Sequence, residues 1–209
     1  DSMIPGGSMV YNEGDAIVKE VVESSVNQIK KYPYQIPSHF IENGITYLET
    51  KEGDLPLEIF GNHNLENLAG AKWICQHMGV DEDDFYEAIA NFKGASKRME
   101  KIAENNTTVI FKDFAHSPSK VLASTNAVKK QYTGRTVMAC LELHTYSSLN
   151  AAFLAEYKGA LNAADTAVVF YAPEAVKLKQ LEAVTAVQIA KAFEREDLIL
   201  SLIHISEPT

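Results

Sequence analysis

Cys75 and Cys140 are the only cysteines in 209 residues, too few and too far apart for a disulfide framework or a thiolate metal site. Both are expected to be buried thiols in a reducing compartment. No apolar run approaches the roughly 18 residues that cross a bilayer, and no basic-then-apolar signal segment opens the chain, so a cytoplasmic protein with no membrane partner is expected. Lys and Arg number 19 against 28 Asp and Glu, a formal net charge of −9. That balance speaks against nucleic acid, whose phosphates are held by cations in quantity. Neither G-x-x-x-x-G-K-[ST] nor G-x-G-x-x-G occurs, so the polypeptide shows no triphosphate cradle of its own. There is no internal repeat and no low-complexity tract. What the chain does have is 46% hydrophobic residues, enough for one large core or two modest ones.

The pattern reads as two halves. Gly7 to Tyr11 predicts a short strand, Asn12-Glu13-Gly14-Asp15 a capping turn, and a helix follows from near Ala16 to about Lys31, with Ile17, Val21, Val22, Val26 and Ile29 on one stripe. Tyr32 to Ile59 is rich in β-formers and interrupted by Pro33, Pro37, Asn43-Gly44 and Gly53-Asp54. It predicts three or four short antiparallel strands, with Asn43-Gly44 as the clearest hairpin turn. Asn64 to His77 predicts a helix that turns Leu65, Leu68, Ala69, Trp73 and Ile74 inward and ends at Gly79. A second helix, Asp81 to Asn91, starts with acidic residues suited to its positive end.

The aperiodic run Phe92 to Lys97 marks a domain boundary, giving units at 1–93 and 94–199. Beyond it come a strand (Thr107 to Phe111), a helix (Pro118 to Gln131), a strand (Thr136 to Leu143), a helix (Asn150 to Asn162) and a strand (Thr166 to Tyr171). Apolar strands alternating with helices indicate a parallel, doubly wound sheet, whose ligands bind beyond the carboxyl ends of the strands. That rule sets Asp113, His144 and Tyr171 along one edge. Residues 200–209 look like the translation of a transposon-end sequencing adapter and are expected to stand outside the fold, although a genuine last strand is the competing reading. The natural start is expected upstream of Asp1.

Four groups of residues carry chemistry. His63, Asn64 and Asn67 open one helix, with His63 and Asn67 four apart on one face; side-chain amides can pair with an adenine edge. Simple N-capping by Asn64 is the bland alternative. Asp113, directly after an apolar strand, suits a ribose diol, or is a solvated loop acid. Ser117-Pro118 is a strong helix start whose positive end suits phosphate, with His116 beside it; His116 is equally able to tie down its own loop. Lys97 and Arg98 offer cations near the boundary, though such pairs are usually solvated. After the middle strand, His144, Thr145 and Ser147 face a polar ligand. No metal ligand is assigned, and for catalysis His116 is the one candidate.

Taken in order, Gly61-x-His63-Asn64-x-x-Asn67, Phe92-x-Gly94 with Arg98-Met99-Glu100, and Asp113-Phe114-Ala115-His116-Ser117-Pro118 resemble the back half of a Mur ligase. The resemblance implies an α/β protein: the end of a central P-loop-type ATPase domain, made of helices plus small antiparallel strands, followed by a Rossmann-like doubly wound C-terminal domain. It implies ATP at Asn67 (adenine, with His63 and Asn64 beside it), Asp113 (ribose), Arg98 and His116, and Mg2+ held by ligands upstream of Asp1. It implies a ligase of the bacterial cell wall that activates UDP-N-acetylmuramate as an acyl phosphate for attack by an amine. The loop Glu142-Leu143-His144-Thr145-Tyr146-Ser147-Ser148-Leu149 most resembles the murein peptide ligase branch, which adds L-Ala-γ-D-Glu-meso-diaminopimelate; the neighbouring branch adds L-alanine alone. The 209 residues by themselves are expected to be inactive. A non-catalytic nucleotide-binding module on the same sheet is the alternative from a different class.

Overall fold

The computed structural model describes residues 3–180 and 184–201. The chain divides into two compact units, Asp1–Gly94 and Ala95–Thr209. In the first, β1 (Ser8–Asn12) leads to α1 (Ala16–Ser24), whose start is capped by the Asp15 carboxylate accepting from the Ile17 and Val18 N–H groups. The helix stops well short of the expected Lys31. Ser25 is already extended (φ −65°, ψ 127°), because the next residues are claimed by β2 (Lys30–Tyr34). β2 pairs parallel with β1, Val10 opposite Tyr32, where an antiparallel strand was expected. Of the α1 stripe only Val22 is buried; Ile17 and Val21 are exposed, and so is Val26 beyond the helix end.

β3 (His39–Glu42), β4 (Ile45–Thr50) and β5 (Gly53–Leu57) form the expected antiparallel meander. Its first turn carries positive φ at both Asn43 (50°) and Gly44 (77°), the twist that a two-residue hairpin needs. α2 (Asn62–His77) and α3 (Glu82–Ala90) follow, the latter capped by Asp81, and Leu65, Leu68 and Phe85 close a core with Leu48, Leu57 and Ile59. Trp73 and Ile74 were expected in that core but sit at its surface; Trp73 packs against Tyr32 and His77 instead. Gly70 fills the inward position: a Cβ there would meet the Tyr34 ring at 3.1 Å.

The second unit opens with a hairpin, β6 (Glu100–Glu104) antiparallel to β7 (Val109–Lys112), where the sequence led us to expect β7 in a parallel sheet. α4 (Pro118–Gln131) follows with Pro118 at its first turn, then β8 (Met138–Glu142), α5 (Ala151–Leu154), β9 (Thr166–Phe170), α6 (Pro173–Leu178), α7 (Ala186–Phe193) and β10 (Ile199–Ser201). β10, β9 and β8 lie parallel in that order, the helix-linked parallel arrangement of a Rossmann-like α/β unit. Leu200 and Ser201, expected outside the fold, sit in β10 against Val169 and Phe170; residues 202–209 lie outside the described residues.

The expected helix from Asn150 to Asn162 breaks into α5, a short 3₁₀ turn (Ala155–Tyr157) and further turns, because Lys158 is extended at ψ 120° and Gly159 takes φ 72°. The break lets Tyr157 point into the core, fully buried and stacked on Phe193. In β8, alternation turns Leu141 inward and Met138, Cys140 and Glu142 outward, so Cys140 is exposed rather than buried, while Cys75 is half-buried. Among the described residues no helix is long and apolar enough to cross a membrane.

Candidate functional site

In the first unit the candidate residues open α2. Gly61, at φ 88°, takes a backbone conformation that L side chains rarely adopt and turns the chain from the buried Ile59-Phe60 pair into the helix. Helical geometry begins at Asn62, so Asn64 is not the cap. Its side-chain NH2 donates to the Phe60 carbonyl at 2.8 Å, which commits that amide to holding the entry of the chain. His63 is half-buried, and Asn67, one turn further on the same face, is exposed. Of the three, Asn67 is the amide presented at the surface.

In the second unit β7 delivers Asp113 into a loop that three hydrogen bonds pin from three directions. The Phe114 N–H donates to the Lys97 carbonyl at 2.8 Å. The Ser124 hydroxyl, from α4, donates to Asp113 Oδ2, and the Tyr157 hydroxyl donates to the His116 carbonyl. Burial pushes the Tyr157 phenol above its ordinary pKa, so it stays protonated and remains a donor. His116 Nδ1 lies 2.9 Å from the Phe114 carbonyl; a carbonyl only accepts, so Nδ1 carries the proton and Nε2 is the ring's other polar atom. Ser117 then caps α4 in extended conformation without a side-chain capping bond.

The loop after β8 arrives beside it. Thr145 and Ser148 lock a turn reciprocally: the Ser148 Oγ accepts from the Thr145 N–H at 2.9 Å, and the Thr145 Oγ1 accepts from the Ser148 N–H at 3.0 Å. Thr145 therefore spends its hydroxyl on the turn, Ser148 is buried, and Ser147 is left exposed. The turn sets His144 with its ring centre 6.1 Å from His116 and 6.2 Å from Phe114, itself 5.0 Å from His116. Arg98 completes the group, its guanidinium 5.8 Å from the Phe114 ring centre. It is held out between Lys97 and Met99, both at positive φ (57° and 49°), by the buried Met99 side chain and by the Glu100 carboxylate, which accepts from the Lys97 N–H at 2.7 Å.

The second unit thus brings together Arg98, Asp113, His116 and His144 within adjoining loops. Tyr171 does not join them; it is buried, and its hydroxyl donates to the Val184 carbonyl at 2.8 Å. Sequence reasoning missed Phe114, Ser124 and Tyr157. The first was visible as an aromatic between Asp113 and His116, whereas nothing in the sequence sets Ser124 or Tyr157 apart from other helix residues.

Chemically, a Phe ring with two imidazoles inclined to it at 63° and 46° and a guanidinium beside it offers π and cationic character to a planar aromatic or anionic group. Asp113 adds an acceptor for hydroxyls. Beside the start of α4 opens a cavity of about 520 Å3 whose walls include the apolar Leu122 and Phe153 and the charged Glu156 and Lys158. Among the described residues no group of three or more His, Cys, Asp or Glu side chains is placed to hold a metal ion.

Comparison with known proteins finds relatives of the chain as a whole. The UDP-N-acetylmuramate–L-alanine ligase of Caldicellulosiruptor bescii is 29% identical over 175 residues, which cover 78% of this chain and 38% of that relative. Among solved structures, MurF of Acinetobacter baumannii superposes with a TM-score of 0.68 at 17% identity, over 95% of this chain and 43% of that one. The UDP-N-acetylmuramate-alanine ligase of Thermotoga maritima superposes with a TM-score of 0.62 at 15% identity, over 83% of this chain and 39% of that one. The chain therefore spans about two fifths of the length of the relatives it matches. Residues 97–208, more than half of the chain, match the family described as Mur ligase, glutamate ligase domain, and the chain belongs to the Mur ligase family.

Proposed function

We propose that the chain is a nucleotide-binding part of an ATP-dependent amide ligase that extends UDP-N-acetylmuramate. The observation that carries the reading is the convergence of the loops after β7 and β8, which gathers His116, His144 and Arg98 around the Phe114 ring, in the same loop as Asp113. Asn67, with His63 and Asn64 beside it, takes the adenine edge; Asp113 takes the ribose diol; Arg98 and His116 are the further nucleotide-binding residues. His144 and Ser147 face the substrates, and Thr145 holds the turn that presents them. ATP converts the muramoyl carboxylate to an acyl phosphate, exchanging a poor leaving group for a good one. The acceptor amine then attacks and phosphate departs. Cationic side chains stabilise the charge spread over the transferring phosphoryl oxygens.

Two acceptors come into question. The names of the curated relatives favour L-alanine, whereas the loop from Glu142 to Leu149 alone favours L-Ala-γ-D-Glu-meso-diaminopimelate, so L-alanine is the reading we put forward. The domain assignment that goes with it gives residues 1–93 to the end of the central ATP-binding domain and 94–199 to the C-terminal domain, in a cytoplasmic enzyme. ADP release by the full-length protein, supplied with ATP, Mg2+ and UDP-N-acetylmuramate, is expected to depend on L-alanine. Dependence on the tripeptide instead would move the protein to the other branch, and dependence on neither would overturn the ligase reading. The 209 residues expressed alone are expected to release no ADP under the same conditions.

A further inference from the structure

We propose that Ser124 is a positioning residue for the nucleotide's ribose, acting through Asp113; this rests on the reading that Asp113 takes the ribose diol. Asp113 stands in a loop, where a short acidic side chain samples several rotamers, and a carboxylate that must meet two hydroxyls loses binding energy for each rotamer it has to abandon. The Ser124 hydroxyl removes that freedom by donating to Oδ2, a bond strengthened by the acceptor's charge. Among the described residues no partner meets Oδ1, so the carboxylate is fixed through one oxygen with its other oxygen uncommitted.

The neighbouring hydroxyl on α4, that of Thr125, is used differently. Thr125 bonds back to the Val121 carbonyl at 2.7 Å, the default for a hydroxyl inside a helix. Ser124 instead reaches across eleven residues of sequence to the loop. It does so from a rigid base, since Val121 and Thr125 on the same helix are buried, and a binding group is best held by a residue that is itself locked in place.

The test measures ADP release by the full-length protein with ATP and with 2′-deoxy-ATP, for wild type, Ser124→Ala, Ser124→Thr and Asp113→Asn. Ser124→Ala is expected to raise KM for ATP by about tenfold with kcat nearly unchanged, the loss typical of one charge-assisted hydrogen bond. It should shrink the preference for ATP over 2′-deoxy-ATP, and Ser124→Thr should restore both. If Asp113→Asn collapses that preference while Ser124→Ala leaves it at the wild-type value, Asp113 serves the ribose without Ser124 and the proposal fails alone. If Asp113→Asn also leaves the preference intact, the ribose reading falls and takes the proposal with it. A lowered melting temperature with equal losses for both nucleotides would mark Ser124 as merely structural, which also overturns the proposal.

Discussion

The two motif-bearing segments are held in opposite ways. The loop from Asp113 to Pro118 is tied down by bonds from Lys97, Ser124 and Tyr157, the last reaching out of the core. The segment from Gly61 to Asn67 relies on helix geometry, entered through a backbone turn at Gly61 and the bond from the Asn64 amide to the Phe60 carbonyl. A loop has no internal ladder of hydrogen bonds, so it becomes a fixed platform only when the surrounding elements over-determine it. A helix start is already regular and can present Asn67 with little support.

If that contrast is right, Tyr157→Ala carries the largest penalty. It removes a fully buried aromatic together with the loop's deepest tie, and should cost about 3–5 kcal/mol in urea denaturation. Next comes Gly61→Ala, which forces a Cβ into φ 88° and should cost about 1–3 kcal/mol. Tyr157→Phe keeps the ring and leaves the His116 carbonyl without its donor, for about 1–2 kcal/mol and a weakened nucleotide site. Asn67→Ala should sharpen the contrast from the other side: stability within about 0.5 kcal/mol of wild type, but a raised KM for ATP. Were Asn67→Ala as destabilising as Tyr157→Phe, the helix start would be as interdependent as the loop and the comparison would break.

The smallest effect belongs to the surface of the first unit. A hydrogen bond from Lys72 lowers the Glu82 pKa below its ordinary value, and Lys72, which burial disfavours as a charge, is raised by its bonds to Glu82 and Tyr86. A depressed carboxylate pKa stabilises the fold above the ordinary carboxylate range and loses that contribution as pH falls through the folded-state value. The melting temperatures of wild type and Glu82→Gln should therefore differ slightly at neutral pH and converge in acid.

Much of this was legible from residues. Ser117-Pro118 fixed the start of α4, Asn43-Gly44 the hairpin, and the apolar runs β8 and β9. Others were hidden for physical reasons. β6 reads Glu-Lys-Ile-Ala-Glu, too charged to signal a strand, because its pairing with β7 leaves it almost wholly exposed. Leu154, Tyr157 and Leu161 keep helical spacing, yet tertiary packing buries them from a short α5, a 3₁₀ turn and a further turn in place of one helix. The parallel pairing of β1 with β2 joins segments on either side of α1, which local pattern does not reveal. In the site, Asp113, His116 and His144 could be picked out by type and by their place after strands, but the hydroxyls that steady them could not, since a helical Ser or Tyr looks the same whether or not it reaches a loop.

Alternation in β8 has a practical sequel. With Cys140 exposed and Cys75 half-buried, a maleimide dye should alkylate Cys140 first. That would attach a fluorescent reporter in the middle of the strand leading to His144, without altering any residue assigned to the nucleotide.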